Sequence, residues 1–276
     1  MGRVSGKVAL VTGAARGQGR AHAIRLAEEG ADIIAVDLCG QIDSVPYAMG
    51  NAADLTQTAK EVEAFDRRIH TEAADVRDLA QLEAVVRRGE AEVGPIDVVV
   101  ANAGIFSTEP SEAMSPRVWQ DMIDVNLTGV WNTVRAIVPR MKERGQGGSI
   151  VMTSSTAGIK GFPTLAHYTA AKHGVVGLMK AWAVEFGPDR IRVNTVHPTS
   201  VDTPMIANET MYRLFRPDLD NPGKDDFGEV FKALHTLPER WVQPRDISNM
   251  VLFLASEESR YVTGMQMRVD LGYCEK

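Results

Sequence analysis

A tyrosine and a lysine four positions apart, Tyr168 and Lys172, have the clearest chemical potential in this 276-residue chain. On a helix, positions four apart lie on one face, so the ammonium group can approach the phenol. A positive charge beside a phenol lowers its pKa from about 10 and makes tyrosine a usable acid or base near neutral pH. The same spacing also arises by chance, with the tyrosine packed and the lysine solvated. The pair alone therefore does not establish an active site.

A glycine-rich turn, Thr-Gly-Ala-Ala-Arg-Gly-Gln-Gly at residues 12–19, follows the first apolar segment and opens the first helical one. Glycines let the backbone turn tightly and approach a pyrophosphate, which sits on the amides and dipole of the helix N-terminus. The spacing differs from the Gly-x-Gly-x-x-Gly fingerprint, and a plain structural turn is the alternative. The strand–turn–helix context favours dinucleotide binding. The candidate phosphate-binding residues are Gly13, Arg16, Gly17, Gln18 and Gly19.

Asp37 ends the second apolar segment, at about the distance from the glycine turn where an acid hydrogen-bonds the adenosine ribose hydroxyls. A carboxylate there repels a 2′-phosphate, so NAD is favoured over NADP. The alternative is an ordinary solvated aspartate at a strand end. Arg16 argues the other way, because a basic residue in the turn could meet a 2′-phosphate. We expect Asp37 to prevail, since its repulsion acts at the ribose itself.

Short apolar segments alternate with longer segments of helical periodicity along the whole chain. The predicted strands cover residues 8–12, 33–37, 69–75, 98–102, 149–154, 192–197 and 266–270. The predicted helices cover residues 17–29, 52–67, 78–92, 116–142, 165–186 and 244–255. Runs such as 98–100 are continuously apolar, as expected of strands covered on both faces. The pattern predicts a single-domain α/β protein of the Rossmann type, with a doubly wound parallel sheet of about seven strands and helices on both faces.

Two long segments interrupt this alternation. Residues 38–51 are long for a loop between a strand and a helix and follow Asp37, so we expect this insertion near the adenosine end of the cofactor. Residues 205–243 mix apolar and aromatic residues with a polar break at 216–226. We expect them to form a substrate-binding lid, although the apolar residues could equally form an ordinary satellite core. No linker divides the chain, which we interpret as one NAD-binding catalytic domain over residues 1–276.

The composition excludes several classes of protein. With 30 Lys and Arg against 36 Asp and Glu, the formal charge is −6. A mildly acidic protein lacks a general attraction to phosphate backbones and anionic lipid, so we expect no nucleic-acid partner. The hydrophobic fraction of 44% and charged fraction of 24% exclude wholesale disorder and fibrous structure. No apolar run approaches the roughly 18 residues of a membrane span, so we expect no membrane partner.

The cysteines and histidines also limit the chemistry. Cys39 and Cys274 are too few for a disulfide framework or a zinc cluster, which favours a reducing compartment. Residues 1–13 show no signal-peptide pattern, so we expect a cytoplasmic protein. The six histidines show no metal-ligand spacing, and the chain has no Gly-x-Ser-x-Gly motif. We expect neither a bound metal nor serine-hydrolase chemistry.

Four motifs occur together and in order: the glycine turn, Asn-Ala-Gly at 102–104, Ser-Ser at 154–155, and Tyr-x-x-x-Lys at 168–172. Together they resemble the short-chain dehydrogenase/reductase family over nearly the whole chain. The resemblance implies hydride transfer between a nicotinamide and the carbinol carbon of a secondary alcohol or ketone, with the cofactor carrying the difficult step. It also implies a homotetramer.

The same resemblance implies roles for individual residues. Tyr168 is the catalytic acid or base, Lys172 lowers its pKa and binds the nicotinamide ribose, and Ser155 hydrogen-bonds the substrate oxygen. Asn126 matches the family's helix asparagine that holds a proton-relay water; its alternative, a buried polar residue satisfying a helix irregularity, is partly compatible with that role. The Ser154 side chain should point the other way. Beyond the glycine turn, the implied cofactor contacts are Asp37, Leu38, Asp75, Val76, Asn102, Ala103, Gly104, Tyr168, Lys172, Pro198, Val201 and Thr203.

A departure follows the sixth strand, where Thr199 stands in place of the glycine of a common Pro-Gly pair and should restrict the backbone near the nicotinamide. This segment, the glycine turn and the insertion at 36–47 resemble more closely the actinobacterial carveol-dehydrogenase-like, mycofactocin-coupled members. That subgroup implies oxidation of a terpenoid-like or other apolar secondary alcohol, tightly held NAD and an external redox carrier.

Two other functions stay open at this point. One is a freely exchanging NAD(P)H carbonyl reductase or hydroxysteroid-type dehydrogenase. The other is a dinucleotide-binding sensor or scaffold without turnover, and the complete set of Ser155, Tyr168, Lys172 and Asn126 argues against it.

Overall fold

Seven strands among residues 2–276, the part of the chain that this computed structural model describes, form one sheet. Every pairing in it is parallel, and the strand order is β3-β2-β1-β4-β5-β6-β7. The strands are β1 (Val8–Thr12), β2 (Asp32–Asp37), β3 (Ile69–Ala73), β4 (Val98–Ala101), β5 (Gly148–Thr153), β6 (Ile191–Pro198) and β7 (Gln266–Val269). Each lies within two residues of its predicted bounds.

The direction of the strand order reverses at β1, which pairs with β2 on one side and with β4 on the other. In an open parallel sheet, ligands bind in the crevice outside the carboxyl ends of the strands at such a reversal. The glycine turn follows β1, and the Asn-Ala-Gly motif at 102–104 follows β4. The topology therefore brings these two distant motifs together at one point.

Helices cover both faces of the sheet because those that pack on it present an apolar side to the strands. Those among residues 2–276 are α1 (Gly17–Glu28), α2 (Ala52–Glu63), α3 (Leu79–Val93), α4 (Pro116–Ile123), α5 (Gly129–Arg144), α6 (Ala166–Glu185), α7 (Glu209–Phe215), α8 (Lys224–Leu234) and α9 (Pro244–Ala255). Helices α1, α2 and α9 contribute to one buried cluster, and α3, α5 and α6 to the other. Two cores separated by a parallel sheet confirm the predicted fold class.

The helix predicted over residues 116–142 is interrupted. Helix α4 ends at Ile123, a single π-helical turn covers Asp124–Thr128, and α5 begins at Gly129. Turns of this kind are rare and often lie at functional sites. Hydrophobic periodicity did not reveal this turn, because five residues within a longer helical segment are too few to show a period of their own. Asn126 lies within this turn.

The segment predicted as a lid, residues 205–243, contains the helices α7 and α8, which the sequence pattern does not reveal. Its aromatic residues pack on one another: the Phe227 and Phe231 ring centroids are 4.7 Å apart, and the Phe215 and Phe231 centroids are 5.0 Å apart. Phe227 is fully buried, whereas Phe215 and Phe231 line the large cavity described below. The segment thus forms a satellite core and a cavity wall at once.

Within residues 2–276, the longest and most apolar helices still fall short of what crossing a bilayer requires.

Candidate functional site

A cavity of about 610 Å³ opens at the carboxyl ends of the strands, where the strand order reverses. All the predicted cofactor contacts line it: Gly13, Arg16, Gly17, Gln18, Gly19, Asp37, Leu38, Asp75, Val76, Asn102, Ala103, Gly104, Tyr168, Lys172, Pro198, Val201 and Thr203. Ser155 lines it as well. Asn126 does not, because it is fully buried behind the cavity wall.

The glycine turn has the geometry that only glycine permits. Gly13 and Gly17 have φ angles of 68° and 57°, in the left-handed region. A Cβ atom at Gly19 would lie 2.0 Å from the carbonyl oxygen of Gly13, and one at Gly13 would lie 2.9 Å from the Cα of Ala103. The three glycines therefore let the first turn of α1 fold closely against the segment after β4. This leaves the helix N-terminus facing the cavity, where it favours an anion.

The Asp37 carboxylate is fixed at the edge of the cavity by two main-chain amides. The amide of Ala15 donates to Oδ2 and that of Cys39 to Oδ1, each at 3.0 Å. These bonds join the glycine turn to the first residues of the insertion. The carboxylate keeps further lone pairs that can accept hydrogen bonds from a ligand. By contrast, the Asp75 carboxylate accepts hydrogen bonds of 2.6–3.0 Å from the guanidinium of Arg77.

The floor of the cavity is a network across the ends of β1, β4 and β5. The Thr12 hydroxyl oxygen accepts from the amides of Asn102 and Ala103, each at 3.1 Å. The Asn102 side chain donates to the Thr12 carbonyl at 3.1 Å and accepts from the Thr153 hydroxyl at 3.2 Å. The sequence analysis gave neither Thr12 nor Thr153 a role in this network, since a threonine at a strand end has no distinctive pattern.

Lys172 is buried, with 3% of its surface exposed, and its Nζ donates to the Thr153 carbonyl at 2.9 Å. The same Nζ lies 5.5 Å from the ring centroid of Tyr168. Burial lowers the pKa of Lys172 to about 8. It also raises the pKa of Tyr168 to about 12, against a smaller lowering by the Ser155 side chain.

The expectation that the pKa of Tyr168 lies below its usual value is therefore wrong for the protein alone. The prediction considered only the charge of the neighbouring lysine. It omitted the loss of hydration around the phenol, which disfavours the phenolate and outweighs the hydrogen bond from Ser155.

The two adjacent serines point in different directions, as expected. The buried Ser154 hydroxyl donates to the main-chain carbonyl of Lys172 at 3.0 Å and so supports the helix position of the lysine. The Ser155 hydroxyl faces the cavity and accepts from the amide of Ala157 at 3.1 Å. Its carbonyl accepts from the Nδ1 of His197 at 2.8 Å.

His197 is a further hydrogen-bond partner of Ser155, and the sequence analysis gave it no role. It is fully buried, and burial lowers its pKa to about 4, so the ring is neutral near pH 7. Since a carbonyl only accepts, Nδ1 carries the proton and donates to Ser155, while Nε2 accepts from the Thr195 hydroxyl at 2.8 Å. The imidazole thereby ties the end of β6 to the residue after β5.

Asn126 satisfies main-chain groups of the cavity wall. Its Oδ1 accepts from the Ile105 amide and its Nδ2 donates to the Ile105 carbonyl, both at 2.8 Å. A Cβ atom at Gly104 would lie 3.0 Å from Asn126 Oδ1 and 3.7 Å from Lys172 Nζ. Glycine at this position therefore leaves room between the asparagine and the lysine. Both readings of Asn126 fit this geometry.

The insertion, residues 38–51, reaches further than predicted. Ile42, Tyr47, Met49 and Gly50 line the cavity together with Leu38. The Tyr47 hydroxyl oxygen accepts from the Phe106 amide at 3.1 Å, and the Phe106 ring packs edge-on to Tyr168 with centroids 5.1 Å apart. The insertion thus extends from the carboxylate of Asp37 to the surroundings of Tyr168. A single loop tyrosine gives no sequence signal for such a contact.

Thr199, the departure from the family's Pro-Gly pair, contacts the lid. Its hydroxyl is 3.1 Å from Nε2 of His235, whose Nδ1 lies 2.8 Å from the Glu239 carbonyl. Nδ1 therefore carries the proton, and Thr199 donates to Nε2.

The remaining cavity wall is mostly apolar. Its residues include Phe162, Leu165, Met205, Ile206, Leu214, Phe215, Phe231, Leu234 and Tyr273. The lid supplies most of them, whereas Tyr273 comes from the last part of the chain, which the sequence analysis did not connect with the site. Among residues 2–276, no three His, Cys, Asp or Glu side chains come together as a metal site would require.

Comparisons with known proteins agree with this geometry. A family model described as short chain dehydrogenase matches residues 7–212. A (−)-trans-carveol dehydrogenase from Rhodococcus erythropolis is 52% identical over 273 residues, covering 99% of each chain. The crystal structure of a carveol dehydrogenase from Mycobacterium avium in complex with NAD is 56% identical, covers 100% of both chains and superposes with a TM-score of 0.99. A short chain dehydrogenase from Mycobacterium paratuberculosis bound to NAD is 44% identical with a TM-score of 0.90, again over 100% of both chains. These similarities confirm the resemblance found in the sequence: the chain belongs to the short-chain dehydrogenase family.

Proposed function

We propose that this protein is an NAD-dependent dehydrogenase of apolar secondary alcohols, of the size and character of a terpenoid such as carveol. One observation carries the proposal: Ser155, Tyr168 and Lys172 lie in a single cavity between a dinucleotide-shaped half and an apolar half. The carveol dehydrogenase from Rhodococcus erythropolis and the NAD complex from Mycobacterium avium, both more than half identical, support the substrate class and the cofactor.

The residues of the polar half fit NAD. The glycine turn offers helix amides to the pyrophosphate, and the Asp37 carboxylate can accept hydrogen bonds from the adenosine ribose. Asp75, Val76 and residues 102–104 line the cavity. In this proposal Asp75 and Val76 contact the adenine, and residues 102–104 form the floor under the cofactor. Pro198, Val201 and Thr203 line the end where the nicotinamide would be held. The acidic charge of Asp37 disfavours the 2′-phosphate of NADP.

NAD, when bound, supplies C4 of its nicotinamide ring as the acceptor of the hydride that leaves the carbinol carbon. The protein orients the alcohol and removes its hydroxyl proton. Tyr168 takes that proton on its phenolic oxygen, and the Ser155 hydroxyl hydrogen-bonds the same substrate oxygen. The Lys172 ammonium favours the phenolate. Asn126, whose carboxamide oxygen has a second lone pair, holds a water beside Lys172 through which the proton leaves.

The apolar half of the cavity selects the alcohol. The Phe215, Phe231 and Leu234 side chains on the lid, with Phe162 and Leu165 opposite the cofactor half, offer hydrocarbon and ring surface. Burying a ring-sized apolar substrate against such a wall contributes about 25 cal/mol per Å² of surface removed from water. A sugar or a hydroxy acid would leave its further polar groups without hydrogen-bond partners there.

The insertion is built to cover the nucleotide. The Gln41 carboxamide holds it from within, donating to the carbonyls of Ile42, Val45 and Tyr47 and accepting from the amide of Met49. From outside, the Arg16 guanidinium bonds to the Ala48 carbonyl, and the Thr210 hydroxyl of the lid contacts the Pro46 carbonyl at 3.5 Å. We propose that this strap keeps NAD bound through the catalytic cycle, so that an external carrier of the mycofactocin kind reoxidises it in place.

We also propose a homotetramer in the reducing cytoplasm. Trp119, Trp131 and Val184 on α4, α5 and α6 are 41%, 38% and 79% exposed, an apolar surface that a second copy can cover. Cys39 and Cys274 are both free thiols, in keeping with a reducing compartment.

Tyr168→Phe tests the proposed reaction. The variant should bind NAD as before but lose roughly 10²- to 10⁴-fold in alcohol oxidation, the typical contribution of one general acid or base. Steady-state oxidation of secondary alcohols, with NAD binding followed by calorimetry, gives both quantities. Tyr261→Phe is the matched control, because Tyr261 is 89% exposed and lies outside the cavity. Unchanged turnover in Tyr168→Phe would remove Tyr168 from the mechanism.

Lys172→Met tests the charge beside the phenol. Oxidation requires the phenolate, so kcat/KM for the alcohol should rise with pH. The Lys172 ammonium lies 5.5 Å from the centroid of the Tyr168 ring, and its loss raises the pKa of Tyr168. The rising limb of the kcat/KM profile should therefore move to higher pH by about one unit or more. The control is Lys180→Met, an exposed lysine on the same helix. Identical pH profiles for Lys172→Met and the native enzyme would contradict the assignment.

Asp37→Asn tests the choice of nucleotide. Removing the negative charge while keeping the size of the side chain removes the repulsion of the 2′-phosphate. The affinity for NADP relative to that for NAD should rise by about tenfold or more, which corresponds to about 1.4 kcal/mol. Calorimetric titration with each nucleotide measures the ratio. Asp220→Asn, an exposed aspartate far along the chain, should leave the ratio unchanged. A ratio that also stays constant in Asp37→Asn would show that another group discriminates.

Gln41→Ala tests the strap. Mass spectrometry of the nucleotide released on denaturing extensively dialysed protein should find near-stoichiometric NAD(H) in the native enzyme. The variant should lose most of it, because the internal bonds of the insertion are gone. Gln57→Ala is the matched control, since the exposed Gln57 bonds only to Glu61 on its own helix. Empty native protein that oxidises alcohols with added NAD would mean a freely exchanging dehydrogenase.

A further inference from the structure

Tyr273 closes the apolar half of the cavity from an unexpected part of the chain. Its ring stacks on Phe162, with centroids 5.8 Å apart and an interplanar angle of 22°. It also meets the ring of His235 edge-on, with centroids 5.9 Å apart. Phe162 belongs to the loop before Tyr168, and His235 follows the last residue of the lid helix α8. One aromatic ring therefore connects the loop to the lid.

Several hydrogen bonds fix the main chain around Tyr273. The Asp270 carboxylate accepts from the amides of Gly272 and Cys274, each at 3.1 Å. Gly272 has a φ of 73°, and a Cβ atom there would lie 2.7 Å from Cβ of Thr236. The Thr236 hydroxyl donates to the Gly272 carbonyl at 2.9 Å. Such a close approach between the segment and the lid requires glycine at this position.

Lys276 adds a second attachment to the lid. Its Nζ donates to the carbonyls of Ala233 and His235, at 3.0 and 2.6 Å. These oxygens lie at the C-terminal end of α8, where carbonyls lack helical partners and a cation is favourable. The Lys160 ammonium donates to the main-chain oxygen of Lys276 at 3.0 Å and lies 4.9 Å from the Tyr273 ring centroid. The segment 270–276 thus binds both the lid and the loop before Tyr168.

We propose that Tyr273 is a specificity-determining residue that limits the size of the alcohol, and that the segment 270–276 holds its ring and α8 in the positions that set this limit. The inference rests on the proposed function, because it concerns the substrate half of the same cavity. A wall residue with a rigid ring discriminates by steric exclusion. A smaller side chain there admits substituents that the native enzyme rejects.

The test compares kcat/KM for a bulky secondary alcohol, 4-tert-butylcyclohexanol, with that for cyclohexanol, in the native holoenzyme and in variants. Tyr273→Ala should raise the bulky-to-small ratio by about tenfold or more, the scale on which apolar pockets discriminate. The gain should come mainly from a lower KM for the bulky alcohol. Tyr273→Phe keeps the ring and should keep the native ratio. Tyr261→Ala, at the exposed tyrosine outside the cavity, is the matched control.

Tyr273→Leu, which preserves apolar packing, replaces Tyr273→Ala if the alanine variant shows no cooperative melting transition. A ratio that stays at the native value in both variants, or rises equally in Tyr261→Ala, would overturn the inference. In that event, native oxidation of cyclohexanol would still uphold the proposed function. A native enzyme that oxidises neither alcohol nor any other apolar secondary alcohol would overturn the function itself.

Lys276→Ala tests the holding role of the segment. The variant should raise the bulky-to-small ratio in the same direction as Tyr273→Ala, because α8 loses its attachment. Lys232→Ala, at an exposed lysine within α8, is the matched control. Equal ratios in Lys276→Ala and the native enzyme would restrict the specificity role to the ring and overturn the role of Lys276.

Discussion

The burial of the Lys172 ammonium constrains the rest of the site. Removing an ammonium from water costs several kcal/mol even after relaxation, so the surroundings must supply acceptors and space. The Thr153 carbonyl at the end of β5 accepts from Nζ, and the absence of a side chain at Gly104 leaves the adjoining space open. The Ser154 hydroxyl holds the lysine's own carbonyl from the other side. The position of this charge therefore depends directly on the end of the sheet.

Burial of the Tyr168 phenol raises its own pKa, so in the protein alone a neutral phenol lies beside a lysine whose pKa is lowered by burial. The proposed reaction requires the opposite state of the tyrosine. A buried phenolate becomes favourable when positive charge accumulates close to it. Lys172 supplies one such charge. The oxidised nicotinamide of the proposed cofactor would bring a second, which would couple proton removal to the presence of oxidised cofactor.

The sequence predicted those features that local pattern controls. Apolar runs locate the central strands β1 and β4, and the glycine turn is recognisable because its backbone tolerates no other residue at Gly19. The π-helical turn at Asp124–Thr128 was missed because five residues are too few to show a period of their own. The rise in the pKa of Tyr168 was missed because desolvation depends on the whole fold rather than on the residue four positions away.

Residues that reach the cavity from distant parts of the chain escaped for a different reason. Three such residues are His197, Tyr47 and Tyr273. They act through long-range contacts, and each looks like an ordinary buried or loop residue in the sequence. Their spacing to Tyr168 follows no rule that a motif could encode. Only the order of the strands and the path of the lid bring them together.

Thr199 shows how such contacts connect separate segments of the site. A threonine stands where the family pattern has a conformationally free glycine, and its side chain makes a contact of its own. The hydroxyl donates to the buried His235, which is fixed in turn by the Glu239 carbonyl and by the edge of the Tyr273 ring. Hydrogen bonds and a ring contact therefore link the segment after β6, the end of α8 and the segment 270–276. A protein that exchanges its nucleotide at every turnover gains from a loose hinge at this point, whereas one that retains it gains from a fixed one. The hydrogen bond from Thr199 thus supports, from the substrate side of the cavity, the same proposal of a retained cofactor that the insertion supports from the adenosine side.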